Sequence, residues 1–117
     1  MVQQAQDNIS DGKKQHLIAL IFLNTGTVNS NVDLKAISDA SQYPISFVVV
    51  TTDYYAQEYH TFDVATTRLF DNFHYTCVSK LVKNPDNMSE KDEVTVVLDM
   101  FQELATQHAC MKKLGYL

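Results

Sequence analysis

The sequence is short of glycine, cysteine and positive charge, and each shortage closes off a class of function. Only three glycines occur among 117 residues. None sits in a Gly-rich loop, so there is neither a P-loop nor a dinucleotide fingerprint, and no cofactor is expected. Two cysteines, Cys77 and Cys110, with no signal-like apolar start, read as reduced thiols in the cytoplasm or also the nucleus. Nine basic against 14 acidic side chains leave a net charge of −5. That gives no footprint for nucleic-acid phosphates and no attraction to anionic lipid headgroups. No apolar run approaches the length that spans a bilayer, so direct membrane insertion is not expected.

What is present is ordinary globular material, 45% hydrophobic and 20% charged, enough for one small domain. Residues 1–14 read as an N-terminal segment, weakly helical and closed by the turn signal Asp11-Gly12. The domain proper runs from 15 to 117. Leu17–Leu23 is a continuous apolar run, the pattern of a strand buried on both faces. Ser30 and Asp33 have capping-box spacing ahead of a short helix that Pro44 ends. Ile45–Thr51 is a second buried strand, rich in β-branched residues. Strand, helix and strand in so few residues make a βαβ unit with parallel strands. Residues 53–72 read as a helical turn and a long loop, Phe73–Val78 as a third strand, and 83–87 as a linker.

The closing segment is read as one helix. Ser89 and Asp92 form its capping box, and Lys112, Lys113 and Gly115 suit its end. Val94, Val97, Leu98, Phe101, Leu104, Ala105 and His108 trace its apolar face, with Phe101 at the centre. The fold class is therefore α/β, about three mainly parallel strands with flanking helices.

The stretch LIALIFLNTGTV poses the functional question, because in open α/β sheets the chemistry sits where a parallel strand gives way to its loop. Here that place offers Asn24, Thr25 and Gly26, and after the second strand Asp53, Tyr54 and Tyr55. These six residues are the candidate partner-binding edge, since exposed tyrosines favour interface cores. Asp71-Asn72 reads as a turn between two core anchors, Phe70 and Phe73. His74, Cys77, His108 and Cys110 are zinc-ligand types, yet strand alternation turns His74 from Cys77 and helical spacing parts His108 from Cys110. The same alternation argues against cysteine–histidine catalysis, and no catalytic or metal residue is assigned.

Three stretches, YPISFVVV (43–50), RLFDNFHY (68–75) and LDMFQELATQHACMKKLGYL (98–117), resemble the von Willebrand factor A-like domain of the copine family. The likeness is nearest to its branch of RING-containing ubiquitin ligases and extends from Gln15 onward. It implies a Rossmann-like, doubly wound domain of order 3-2-1-4-5-6, of which this chain matches the C-terminal half, strands 4 to 6. In that family strand 4 ends in an Asp-Gly that helps to hold a divalent cation, and a D-x-S-x-S motif lies on strand 1. Here Thr25 takes the aspartate's position, Gly26 is kept, and the motif is absent, so the resemblance implies a degenerate metal site. It implies a non-enzymatic protein-interaction module with a protein partner. The alternatives are a ubiquitination-related role, with a RING from another chain, or a truncated paralogue without independent activity. Without strand 1, the strand 17–23 has an unprotected edge, so homo-oligomerisation through it is expected.

Overall fold

The computed structural model describes residues 1–23, 30–52 and 68–117. Helix α1 (Val2–Ser10) leads to strand β1 (Leu17–Leu23), helix α2 (Ser30–Ala40) and strand β2 (Ile45–Thr51). Strand β3 (Phe73–Cys77) follows, then a single helical turn α3 (Val78–Leu81), and helices α4 (Glu90–Met100) and α5 (Leu104–Lys113). The sheet has the order β1-β2-β3 and both pairings are parallel. This is the α/β architecture read from the apolar runs, a partial Rossmann-like sheet.

Register divides the side chains of the sheet into two faces. Leu17 stands beside Ile45 and Leu20 beside Val48, while Val48 stands beside His74 and Val50 beside Thr76. Side chains alternate along each strand, so the odd positions of β2 share one face and the even positions the other. Ile45 packs with Ala5 of α1 and Ala40 of α2, flanked by Leu17, Tyr43 and Phe47. On the opposite face Val48 and Val50 pack with Val78, Val82, Val96 and Met100, beneath α3 and α4.

Several local readings are met by the structure. The Ser89 hydroxyl accepts from the Asp92 N–H at 3.2 Å, and the Asp92 carboxylate accepts from the Ser89 N–H, a complete capping box. Gly12 and Gly115 sit at φ of 73° and 81°, where a Cβ would be strained. Phe70 and Phe73 are both buried around Asn72, whose Nδ2 donates to the Ile37 carbonyl at 2.9 Å. That bond ties the end of α2 to the entry of β3.

The N-terminal segment carries a nine-residue helix whose Ala5 packs on the core. Two readings are corrected. The closing helix is two helices, separated by a turn at 101–103. Its buried residues are Val96 and Met100, then Gln107 and Met111, while Val94, Val97 and Leu98 are exposed. The valines and leucines on both flanks match a helical period equally well, so periodicity does not select the buried side. Strand β1 differs as well. Ile18, Leu20, Ile21 and Phe22 are all exposed, so this strand is not buried on both faces.

Candidate functional site

Among the described residues strand β1 is the margin of the sheet. Leu20 and Phe22 lie in register with Val48 and Val50, on the same face of the sheet. Val48 and Val50 are 1% and 5% exposed, whereas Leu20 and Phe22 are 45% and 68% exposed. Val48 and Val50 pack beneath α3 and α4, and among the described residues neither Leu20 nor Phe22 belongs to that cluster. Ile18 begins the same uncovered row. Such a row of apolar side chains beside an edge backbone is unusual for a strand that stays in water, since native edges carry charge or proline there.

The backbone of β1 shows which groups are free to pair. The Leu17 N–H donates to the Pro44 carbonyl at 2.8 Å, so residue 17 addresses β2. In a parallel ladder alternate residues address opposite neighbours. Residues 19 and 21 therefore also bond toward β2, and the amides and carbonyls of 18, 20 and 22 face outward. Among the described residues no strand lies on that side.

Two histidine contacts frame the helices that cross this face. His74 on β3 is buried, with Nε2 at 3.4 Å from Asp99 and Nδ1 at 3.5 Å from Glu103. Asp99 also accepts from the Thr76 hydroxyl at 2.8 Å. This polar group lies where α4 gives way to α5. At the foot of β1, His16 Nδ1 is 3.2 Å from His108 Nδ1 of α5, and the rings stack at 5.4 Å between centroids. His16 Nε2 is 2.8 Å from the hydroxyl of Ser46, a fully buried residue of β2. Burial first, and the neighbouring His108 second, push the His16 imidazole below its ordinary value of 6.5.

The six residues named from the sequence, Asn24, Thr25, Gly26, Asp53, Tyr54 and Tyr55, lie outside the described residues. The four zinc-type side chains have separate neighbours. His74 meets Asp99 and Glu103, His108 meets His16, and Cys77 Sγ lies 3.3 Å from the Ser79 hydroxyl, while Cys110 is a half-buried free thiol. Among the described residues no three His, Cys, Asp or Glu side chains converge as a metal would need. No described helix is long and apolar enough to cross a membrane.

Sequence reasoning missed the His16–His108 pair. Its partners stand 92 positions apart, and only the packing of α5 over the start of β1 brings them together. It missed the open face of β1 for a related reason. An unbroken apolar run looks the same whether its second face meets a helix or meets water.

No family model matches the chain. It is 29% identical over 119 residues to Copine family protein 1 of Caenorhabditis elegans, across 100% of this chain and 11% of that relative. It is 31% identical over 107 residues to Copine family protein 2 of the same organism, across 90% of this chain and 1% of that relative. The chain thus spans about a tenth or less of the length of these curated relatives.

Proposed function

We propose that this chain, copine-family sequence along almost all of its length, is a non-enzymatic protein-interaction module that binds through β1. The observation that carries this reading is the contrast in register between covered Val50 and exposed Phe22. Burying an exposed Leu or Phe side chain contributes roughly 1.5–3 kcal/mol, and an added strand also satisfies the outward amides of 18, 20 and 22. The occupant is a second copy of the chain. A two-fold axis beside β1 sets two identical strands antiparallel, so each offers the same apolar row and the same open ladder to the other. With its net charge of −5 the chain repels its copy only weakly at cellular ionic strength, where the screening length is about 8 Å.

The same reading takes the family's cation site as lost and places the protein in the cytoplasm. At 24–26 the donors are one amide and one hydroxyl beside a glycine, with no carboxylate. Mg²⁺ and Ca²⁺ require several oxygens, normally carboxylates among them.

Light scattering on a size-exclusion column, over a range of concentrations, tests the interaction. Dimers are expected for the native chain. Phe22→Asp should give a folded monomer, because a charge at a 68% exposed site disturbs the row and not the core. A native chain that stays monomeric throughout would refute self-association through β1.

A further inference from the structure

The contact between His16 and His108 joins the start of β1 to α5, and its chemistry depends on protons. A neutral imidazole has one N–H donor and one bare acceptor nitrogen, whereas imidazolium has two donors. At 3.2 Å between the two Nδ1 atoms, one ring can donate while the other accepts. His16 Nε2 then meets the Ser46 hydroxyl at 2.8 Å, and a hydroxyl serves equally as donor or acceptor. The arrangement is satisfied with both rings neutral. With both rings protonated, the two Nδ1–H groups point at each other within one ring stack, and two positive charges share it.

We propose that the His16–His108 pair is a proton-sensitive clasp that holds α5 against the start of β1 near neutral pH and loosens on acidification. Among the described residues the groups around the pair offer no compensation. His108 faces His16 from α5, and β2 faces it with Ser46, which does not titrate. On the side of α1, Asn8 is engaged with Gln15 rather than with the ring. The carboxylates nearest in sequence to α5, Asp99 and Glu103, are held at His74 on β3. Among the described residues neither His16 nor His108 has an acidic partner. Lys112, one turn beyond His108, adds positive charge on the same helix.

The direction of the effect follows from linkage. Burial and His108 depress the His16 value in the folded chain below 6.5. The unfolded chain then binds the proton first, so this contribution to stability is complete above 6.5 and is lost as the pH falls through the window beneath it. The inference goes beyond the proposed function and stands whether or not a second copy occupies β1.

The test is a ring NMR titration of the 117-residue chain with EDTA present, alongside His108→Gln and His16→Gln, which also assign the resonances. In the native chain the His16 midpoint should lie below its ordinary value and should move up toward it in His108→Gln. The melting temperature should fall further in the native chain than in His108→Gln between about pH 7.5 and 5. His16→Gln should lose the same acid sensitivity of the melting temperature, should His108→Gln fold poorly. An unchanged His16 midpoint, with equal acid sensitivity in native and variant chains, overturns the clasp.

Discussion

The Thr76 hydroxyl donates to the Asp99 carboxylate at 2.8 Å, tying the end of β3 to the last turn of α4. Thr76 is fully buried, whereas Asp99 keeps a quarter of its side chain in water. That asymmetry sets the order of two substitutions. Thr76→Val replaces the hydroxyl by a methyl of similar shape and leaves a carboxylate that can still turn to solvent. Asp99→Ala leaves a buried hydroxyl without its acceptor and removes one of the two carboxylates beside His74. An unsatisfied buried group costs about 1–3 kcal/mol, against about 1 kcal/mol for an ordinary bond. Urea unfolding should therefore rank Asp99→Ala as the more damaging, and the double variant should cost less than the two separate losses added together. Strict additivity would mean that the bond contributes nothing in solution.

The two closing helices make a second discriminating pair. Met100, the last residue of α4, is buried against Val48 and Val50, and Leu98, two residues before it, is 67% exposed. Met100→Ala should cost about 2–5 kcal/mol, while Leu98→Ala should fall within about 0.5 kcal/mol of the native chain. Phe101, expected from the sequence to centre the buried face, is only half-buried at the rim of that core. Thermal melts of the two alanine variants decide between the faces, and a greater loss at Leu98 would restore the sequence reading.

What could be read beforehand was local. Strand positions followed from apolar runs at Leu17–Leu23 and Ile45–Thr51, the start of α4 from Ser89 and Asp92, and the turns from Gly12 and Gly115. These features depend on residues a few positions apart. The orientation of α4 and α5, the cover over β2 but not β1, and the His16–His108 contact depend on docking between distant segments. Periodicity says that a face is apolar and not what lies opposite. The resemblance through YPISFVVV, RLFDNFHY and the closing segment named the family, because those strings combine several elements at once.

The proposed loss of the cation site gives a prediction that does not involve the sheet's contacts. Millimolar Mg²⁺, Mn²⁺ or Ca²⁺ should leave the melting temperature unchanged. A specific ion held at 100 times its dissociation constant would add about 2.7 kcal/mol by linkage. A saturable rise, reversed by EDTA, would show that the donors of this chain suffice after all.

The direction of the backbone groups in β1 supplies the sharpest probe of its role. Leu17 N–H reaches Pro44 O, so by alternation the Ala19 amide also belongs to the ladder with β2, while the Leu20 amide faces outward. Proline lacks an N–H and is tolerated on an edge strand only where that N–H would meet solvent. Ala19→Pro is therefore a poor test of the edge, because it breaks a bond inside the sheet. It should lower the melting temperature sharply whether or not the chain associates. Leu20→Pro removes only an outward donor, from a half-exposed site, and should leave a folded sheet. Its effect should appear in association, with a shift from dimer to monomer on the scattering column and a smaller change in far-UV circular dichroism than Ala19→Pro produces. If Leu20→Pro unfolds the chain as severely as Ala19→Pro, the outward groups of β1 already have a partner within the chain. If Leu20→Pro stays folded and dimeric, association uses a surface other than this edge.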